Sequence, residues 1–295
     1  MISNSRNLTS FIPHARQITQ EDVQLVSDFM LKSKKLLILT GAGVSTASGI
    51  PDYRSKGVGL YARSNQRPMQ YSDFLENDEN RKRYWSRNFT GWSRFSSVKP
   101  NLTHNFIAKL EQLKLLHWVV TQNVDGLHQR AGSSRLTELH GTMHEVICLQ
   151  CQKIILRREF QDILSKLNPN WTVKSIQTAP DADVFIAENE VMKFNLAKCE
   201  CGGVLKPNVV FFGGSISKDI NEEVRQHVDE ADSILVVGSS LQTYSAYRII
   251  SRASDMRKPI GIVSIGETRA DHLASFKISI NCNQLFENLQ LSAYS

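Results

Sequence analysis

The stretch KLLILTGAG, residues 35–43, decides the fold prediction. It is a short run of Leu and Ile without polar alternation, and it ends in small residues, as expected for a strand buried on both faces of a sheet. Three other stretches follow the same design: WVVTQNVD (118–125), SILVVGSS (233–240) and PIGIVSIG (259–266). Because strands of this kind occur in parallel sheets whose two faces are covered, the four runs together predict a parallel sheet.

Helical patterns separate these runs along the chain. The predicted helices are EDVQLVSDFMLKS (21–33), HNFIAKLEQLK (104–114) and INEEVRQHVDEA (220–231). The alternation of strand and helix predicts the α/β class, with a Rossmann-like, doubly wound parallel sheet. VVFFGGS (209–215) and KISIN (277–281) are predicted to be additional strands.

Two insertions interrupt this pattern and define the predicted domain organisation. Residues 51–100 are rich in Arg and aromatic side chains and predict a helical module, while residues 143–205 contain two pairs of cysteines and predict a small domain. The main domain then consists of residues 18–142 and 206–295. Residues 1–17 are predicted to be a flexible tail, whose Arg and Ser content fits either a transit-peptide remnant or a simple polar tail.

The overall composition is that of a globular protein, with 295 residues of which 41% are hydrophobic and 22% charged. No stretch approaches the roughly 20 consecutive apolar residues of a membrane span, so we expect no membrane partner. The formal net charge of +6 suits a nucleic-acid ligand, an acidic substrate or a compartment rich in basic proteins. Charge alone does not choose among these.

Four of the five cysteines fall in two close pairs, Cys148-x-x-Cys151 and Cys199-x-Cys201. Two such pairs separated by a long excursion predict a tetrahedral zinc site with four thiolate ligands, which leaves no open position for catalysis. The alternative is four reduced cysteines that bind no metal. The odd total argues against a disulfide framework and indicates a reducing compartment.

The polar ends of the predicted strands point to one ligand site. In doubly wound sheets, ligands bind in the crevice at the carboxyl ends of the strands. The tails Gly-Ala-Gly, Gln-Asn-Val-Asp, Gly-Ser-Ser and Ser-Ile-Gly are therefore predicted to line one cleft, although each could be a simple turn. Gly41 and Gly43 would let backbone N–H groups approach a pyrophosphate. Their spacing nevertheless differs from the G-x-G-x-x-G of nicotinamide dehydrogenases.

A loop after this first tail is predicted to cover the cleft. Pro51 stops the preceding helix, so Asp52, Tyr53 and Arg54 should lie on a loop. Arg54 would there bind phosphate or carboxylate, and Asp52 would orient it. The alternative is a surface Asp–Arg pair.

The second tail carries a candidate general-base site. Gln122, Asn123 and Asp125 end the predicted strand, and His140 follows fifteen residues beyond Asp125. An Asn that binds carboxamide or ribose, a buried Asp and a His that accepts a proton near neutral pH suit general-base catalysis. His128 is the other histidine beside this motif. His140 has the better setting, because it ends a helix or strand and precedes a glycine that would permit close approach.

Residues 81–110 contain seven Arg and Lys residues and no acid, interleaved with aromatic side chains. Tyr84 and Arg87 are three residues apart and therefore share one helix face, where a hydroxyl and a guanidinium would jointly bind a carboxylate. A nucleic-acid surface and a solvated basic face over a local aromatic core are the alternatives.

Several of these motifs together resemble the sirtuin family. They are GAGVSTASGIPDYRS, TQNVDGLHQRAG, ELHGT, the two Cys pairs, LKPNVVFFGG, VVGSSLQ and a late SIG, in this order from about residue 20 onwards. The stretches around IPDYRSKGVGLYARSNQRPMQYSDF and RYWSRNFTGWSRFSS are similar to the class II, mitochondrial members. The resemblance implies an NAD-consuming enzyme in which an acylated lysine displaces nicotinamide, His140 acts as general base toward a ribose hydroxyl, and acyl-ADP-ribose leaves.

The resemblance also implies roles for individual residues. Asn123 and Asp125 join His140 as catalytic residues, and one structural Zn²⁺ is held by Cys148, Cys151, Cys199 and Cys201. The residues implied to bind NAD are Gly41, Ala42, Gly43, Ser45, Asp52, Tyr53, Arg54, Tyr61, Gln122, Asn123, Asp125, Gly238, Ser239, Ser240, Ser264, Ile265, Gly266 and Cys282. Ser264 departs from the Asn that is common in the family, and the C-x-C pair departs from the usual C-x-x-C.

For the substrate, the resemblance implies acyl-lysine proteins in the mitochondrial matrix. Tyr84 and Arg87 are similar to the carboxylate-binding pair of desuccinylating sirtuins, so larger or carboxylated acyl groups of the glutaryl or methylglutaryl type, or lipoyl, are expected ahead of acetyl. Protein mono-ADP-ribosyl transfer and a low-turnover NAD sensor are the alternative functions. We expect a monomer with no nucleic-acid partner.

Overall fold

The structure is a computed structural model that describes residues 11–65, 67–175 and 179–289. These residues form nine strands: β1 (Leu36–Thr40), β2 (Trp118–Thr121), β3 (Leu136–Glu138), β4 (Gly141–Cys148), β5 (Ile154–Leu156), β6 (Leu205–Val209), β7 (Ser233–Val237), β8 (Ile260–Val263) and β9 (Phe276–Ile278).

Within the described residues, eleven α-helices lie between and around these strands. They are α1 (Gln20–Lys32), α2 (Leu60–Arg63), α3 (Tyr71–Glu76), α4 (Asp78–Ser97), α5 (Leu102–Gln112), α6 (Leu127–Ala131), α7 (Arg157–Leu167), α8 (Glu188–Val191), α9 (Lys218–Glu230), α10 (Tyr244–Asp255) and α11 (Cys282–Asn288). Two short 3₁₀ helices occupy Ala42–Ser48 and Asp271–Leu273. No helix among the described residues is long and apolar enough to cross a membrane.

The main sheet contains six parallel strands in the order β3-β2-β1-β7-β8-β9. Numbered within this sheet alone, the order is 3-2-1-4-5-6, which is that of the Rossmann fold. Every residue of β1, β7 and β8 is buried. One hydrophobic cluster packs on each face, with helices α1, α5 and α11 on one side and α9 and α10 on the other. The predicted α/β fold class is confirmed.

A second, smaller sheet has the order β5-β4-β6 and is antiparallel. It follows directly from His140, because β4 begins at Gly141. A Cβ atom at Gly141, which has φ of 76°, would collide with the carbonyl oxygen of Asn208 in β6. The close approach expected after His140 is therefore made by the neighbouring strand.

One predicted strand is wrong. The stretch 209–215 contributes only Val209 to β6, and residues 210–215 form an irregular wall with one isolated bridge between Phe212 and Gln70. The strand lies earlier, at Leu205–Val209, and pairs with β4 rather than with the main sheet. The predicted strand at 277–281 is present as β9, at Phe276–Ile278.

The predicted helical module contains α2, α3 and α4, and it shares one hydrophobic core with the small sheet. Trp85 and Trp92 from α4 pack with Val146 of β4 and Phe160 of α7. Trp85 also donates from its ring nitrogen to the carbonyl oxygen of Leu205 at 3.0 Å. The module and the small sheet are therefore packed against each other as one unit.

The predicted N-terminal tail is described only from residue 11, and residues 1–10 lie outside the described part. Phe11 is buried, with the Arg63 guanidinium 4.7 Å from its ring centre. The two terminal nitrogens of the Arg16 guanidinium donate to the carboxylate of Asp22, each at 2.6 Å. Phe11 and Arg16 thus hold this segment against the rest of the molecule, although residues 11–17 form no regular element.

Candidate active site

A cavity of about 1250 Å³ lies at the carboxyl ends of β1, β2, β7 and β8. All four predicted tails line it, so they form one cleft and not four separate turns. Of the predicted site residues, those in its wall are Gly41, Ala42, Gly43, Ser45, Asp52, Tyr53, Arg54, Gln122, Asn123, Asp125, His140, Gly238, Ser239, Ser240, Ser264, Ile265, Gly266 and Cys282. Tyr61, Tyr84 and Arg87 are not in this wall.

His140 lies in the cavity with both ring nitrogens engaged. Its Nδ1 is 2.9 Å from the carbonyl oxygen of Gln122, and its Nε2 is 2.9 Å from the hydroxyl of Ser245 on α10. A carbonyl oxygen can only accept, so Nδ1 carries the proton and Nε2 accepts from Ser245. Burial lowers the pKa of His140, which keeps the imidazole neutral at physiological pH.

His128 has a structural role instead. It is almost fully buried, and its Nε2 is 3.0 Å from the hydroxyl of Thr40 in β1. The same hydroxyl binds Thr121 of β2 at 2.8 Å. Burial lowers the pKa of His128 to about 3, so this imidazole stays neutral inside the protein.

A hydrogen-bond network connects the end of β2 to the end of β1. The hydroxyl of Ser45 donates to the Asp125 carboxylate at 2.6 Å, and the Asn123 amide donates to Ser45 at 3.2 Å and to the Gly41 carbonyl at 3.1 Å. The other oxygen of Asp125 accepts the backbone N–H of Leu127 at 2.9 Å. The carboxylate and the amide are therefore held in fixed orientations at the cavity wall.

The N–H groups of Gly41 and Gly43 take part in packing the first loop. The N–H of Gly41 donates to Val237 at 3.2 Å and that of Gly43 to Gly238 at 2.9 Å. A Cβ atom at Gly43 would come within 2.7 Å of the Gly238 carbonyl oxygen. Glycine is needed here because the loops after β1 and β7 touch through their backbones.

The loop at Asp52 is organised by its own carboxylate. One oxygen of Asp52 accepts the backbone N–H groups of Arg54 at 3.1 Å and Ser55 at 2.8 Å, and the other accepts the Ser55 hydroxyl. The Arg54 guanidinium instead lies 5.7 Å from the ring centre of Tyr61. Asp52 therefore orients the backbone of the loop, and not the Arg54 side chain as predicted. Tyr61 packs on the Tyr53 ring at 5.9 Å, outside the cavity wall.

The far end of the cavity is formed by the tail of β8 and by Cys282. Lys277 donates to the carbonyl oxygens of Ser264 at 2.6 Å and Gly266 at 2.5 Å, which fixes this tail. The Cys282 thiol is 3.8 Å from the Gly43 carbonyl oxygen, and burial raises its pKa. Cys282 is a free, buried thiol. This agrees with its position as the fifth cysteine, outside the two close pairs.

Several cavity residues were missed by sequence reasoning. Ser245 and Thr243 follow the tail of β7, and Thr243 donates to the side-chain oxygen of Gln122 at 3.2 Å. Sequence reasoning would have found Thr243 and Ser245 if the tail of β7 had been extended to the start of α10. The start of this helix lies at the same edge of the sheet as the cleft. Asp181, which hydrogen-bonds to Tyr53, has no comparable signal because it comes from the long excursion of the small domain.

Tyr84 and Arg87 are placed away from the cavity. The Tyr84 side chain is buried among Phe74, Phe211 and Trp85, with its hydroxyl 3.8 Å from the Met143 sulfur. Arg87 lines a separate small cavity. Its Nε lies 3.0 Å from the Asp183 carboxylate and donates to the Val184 carbonyl at 2.9 Å. The guanidinium charge is thus already compensated.

The four paired cysteines converge at one end of the small sheet. Their sulfur atoms all lie within 4.8 Å of one another, with Cys148 and Cys201 at 3.6 Å and Cys151 and Cys199 at 3.7 Å. A zinc ion with bonds of ~2.3 Å to four tetrahedral sulfurs requires sulfur–sulfur distances of about 3.8 Å. Backbone N–H groups, that of Cys151 first, lower the pKa of Cys148 to about 6. The cluster therefore suits a structural zinc ion.

Comparisons with known proteins agree with this architecture. The Sir2 family model matches residues 41–245. The chain is 50% identical over 281 residues to the NAD-dependent protein lipoamidase sirtuin-4, mitochondrial, of Bos taurus, covering 95% of this chain and 89% of that protein. It is 46% identical over 280 residues to the NAD-dependent protein deacylase Sirt4 of Drosophila melanogaster, covering 95% and 90%.

A solved structure of Sir2 with a p53 peptide and NAD⁺ has a TM-score of 0.71 to this chain at 29% sequence identity, covering 90% of this chain and 95% of that one. The family match spans more than half of the 295 residues, and it contains most of the residues that line the cleft, including His140, together with the four cysteines. The chain belongs to the Sir2 family, the sirtuins.

Proposed function

We propose that this protein is an NAD-dependent protein-lysine deacylase in which His140 is the general base. The observation that carries the proposal is the setting of His140, because Nδ1–H is fixed by the Gln122 carbonyl and the Nε2 lone pair points to the cavity edge at Ser245. A neutral imidazole whose second nitrogen is held in this way can accept a proton at one defined atom.

The cavity is suited to a dinucleotide together with a peptide side chain. Its volume of about 1250 Å³ exceeds the ~300–1,000 Å³ of ordinary small-molecule sites. Polar groups from four strand ends provide donors and acceptors for riboses and phosphates. NAD supplies the ADP-ribosyl group that receives the acyl group as nicotinamide leaves, so it is consumed as a substrate.

Within this site, we assign the proton transfer to His140 and the positioning of the ribose to its neighbours. Nε2 of His140 takes the proton of a ribose hydroxyl. The hydrogen bond that Ser245 donates to the Nε2 lone pair must break first. Asp125, fixed by Ser45 and the Leu127 N–H, provides a negative charge close to the bond that breaks. Asn123, whose amide nitrogen is held by the Gly41 carbonyl and Ser45, lines the same region.

The cavity also supports a preference for large acyl groups. Part of its wall is apolar, with Met69, Val209, Phe211, Phe212 and Ile216. Mammalian relatives are named lipoamidases, which fits a long apolar acyl chain. We therefore propose lipoyl-type acyl groups ahead of acetyl. Carboxylated acyl groups of the glutaryl type would require Arg87 to leave Asp183.

The same relatives carry the word mitochondrial in their names, and we propose mitochondrial function for this chain, on acyl-lysine proteins. Solved relatives contain acetylated or propionylated peptides, which supports peptide-borne acyl-lysine as the substrate. We further propose a monomer that holds one structural zinc ion and acts without nucleic acid.

The test is release of nicotinamide and acyl-ADP-ribose from a panel of acyl-lysine peptides. We expect His140→Ala to reduce kcat/KM at least 100-fold for every peptide, while His272→Ala, at an exposed histidine outside the cavity, leaves it unchanged. Full activity in His140→Ala would overturn the mechanism. Transfer of label from the adenylate of NAD to protein without any acyl peptide would instead indicate ADP-ribosyl transfer.

A further inference from the structure

Two histidines and a glutamate meet at the opposite edge of the main sheet from the cleft. His117 directly precedes β2, while His227 and Glu230 are three residues apart on α9 and so share one helix face. Nδ1 or Nε2 of each histidine and one carboxylate oxygen lie within 4.8 Å of one another. No step of the proposed reaction uses this group.

The distances within the cluster match metal coordination better than hydrogen bonding. Nε2 of His117 is 3.4 Å from Nδ1 of His227 and 3.6 Å from the Glu230 carboxylate. Good hydrogen bonds between such atoms are about 2.7–3.2 Å long. A tetrahedral ion with bonds of about 2.0–2.2 Å to nitrogen and oxygen places its ligand atoms about 3.3–3.6 Å apart.

The surrounding structure holds the three side chains in place. The Trp118 ring stacks on His227 with ring centres 3.7 Å apart and an angle of 12°. Trp118 is itself fixed, because its Nε1 donates to Thr137 at 2.8 Å. Gln226 donates to one oxygen of Glu230 at 2.9 Å, so that the other oxygen faces His117. Supporting contacts of this kind orient ligands in known metal sites.

The chemical groups of the cluster also suit a metal ion. Each imidazole contributes one ring nitrogen to the cluster, and imidazole nitrogen is a common metal ligand. Glu230 adds one carboxylate, whose oxygen lies 3.6 Å from Nε2 of His117. Lys35 and Arg135 approach His117 and oppose a cation, while Glu223 approaches His227 and favours one.

We propose that His117, His227 and Glu230 form a second metal site, which binds a divalent transition-metal ion with water or an external group as its remaining ligand. Two imidazoles and one carboxylate suit Zn²⁺, Co²⁺ or Ni²⁺ and distinguish this site from the four thiolates of the small domain. The ion connects α9 to the start of β2. Its expected effect is therefore stabilisation of the main domain.

The experiment uses the untagged full chain with the thiolate site already filled, as verified by one zinc per chain in elemental analysis. Ni²⁺ is titrated calorimetrically, because it distinguishes added ion from resident zinc. We expect one Ni²⁺ per chain, and a rise in the thermal unfolding midpoint on its addition. His227→Ala and Glu230→Gln should each weaken Ni²⁺ binding at least tenfold and abolish most of the rise.

Two variants serve as matched controls. His272→Ala removes an exposed histidine elsewhere, and Glu222→Gln removes a carboxylate on the same helix α9. Both should bind Ni²⁺ like the parent chain. Binding that is unchanged in His227→Ala, or a parent chain that takes up no Ni²⁺ at about 1 mM, would overturn the proposal. Because the readout is metal binding, its failure is independent of whether the deacylase assignment holds.

Discussion

Ser245→Ala is expected to change how His140 titrates without removing catalysis. The Ser245 hydroxyl donates to Nε2 of His140 at 2.9 Å, which is the atom that must accept the proton of the ribose hydroxyl. The donated hydrogen bond stabilises the neutral ring and so helps to lower the pKa of His140 in the same direction as burial does. Alanine removes this contribution and leaves the Gln122 contact to Nδ1 in place.

The size of the effect follows from a single neutral hydrogen bond. Its net contribution is about 1 kcal/mol, which corresponds to about a fivefold change in the ratio of neutral to protonated His140, because 1.36 kcal/mol is tenfold. Alanine therefore raises the pKa of His140. The acid limb of the kcat/KM profile should move to higher pH, by about a fivefold change in proton concentration. In the complex the ribose hydroxyl replaces Ser245 at Nε2, so the pH profile of kcat should hardly move.

The assay is nicotinamide release from one acyl-lysine peptide, with kcat and kcat/KM measured across the acid limb. Ser251→Ala is the matched control, since it removes a serine from the same helix α10 outside the cavity wall. An unmoved kcat/KM profile would refute the reasoning. A kcat that falls more than about tenfold at every pH would refute the assumption that Ser245 leaves His140 in the complex. Ser245 would then take part in proton transfer.

Three further outcomes follow from the structure. Burial raises the pKa of Glu138 from 4.5 to about 7, so the folded state binds more protons than the unfolded state between these values and stability falls as pH rises. The free energy of unfolding, measured with urea at pH 5 and at pH 8, should therefore fall by at most ~3 kcal/mol from this group, and Glu138→Gln should remove this fall. An equal change in unfolding free energy between the two pH values in both proteins would contradict the prediction. Asp183→Asn removes the negative charge that is paired with Arg87 and should raise glutaryl-peptide turnover several-fold relative to lipoyl-peptide turnover. An unchanged ratio would make the ion pair irrelevant to acyl choice. Cys201→Ser should lower bound zinc well below one per chain and reduce the unfolding midpoint, and full zinc retention in elemental analysis would argue against a four-thiolate site.

The cleft could be predicted because a general rule connects sequence position to place in the fold. Each buried run is recognisable by its lack of polar alternation, and parallel strands bring their carboxyl ends to one edge. Gln122, Ser239 and Ser264 are far apart in the chain, yet the rule was enough to bring them together. Individual hydrogen bonds were beyond this reasoning. The contact between Ser245 and His140 joins residues 105 positions apart and depends on how α10 packs.

The misplaced strand has a physical explanation. VVFF at 209–212 is apolar because it forms the cavity wall and the core around Phe211, and a continuous apolar run does not distinguish such a wall from a strand. The true strand, Leu205–Val209, contains Lys206 and Pro207, which disfavour a strand prediction. Proline is tolerated because β6 is an edge strand of the small sheet.

The prediction for Arg87 shows the limit of helical spacing. Tyr84 and Arg87 do share a face of α4, as their spacing implies. The face is covered by the excursion of the small domain, from which Asp183 and Val184 bind Arg87. Local periodicity tells which residues are neighbours on a helix, but not what packs over them. That information lies about 100 residues away in the chain.

Strand β2 links the two proposed sites, since His117 precedes it and Gln122 follows it. At ~3.3 Å per residue the two positions are only about 16 Å apart. Coupling between sites nevertheless needs an element with two arrangements that each ligand favours differently. β2 is paired on both sides, with β1 and β3, and its pairing has a single register. We therefore expect Ni²⁺ at His117 and His227 to raise the unfolding midpoint while changing the KM for NAD less than twofold. A larger change in KM would mean that α9 or β2 has a second arrangement, and by reciprocity NAD would then change the affinity for Ni²⁺ by a comparable factor.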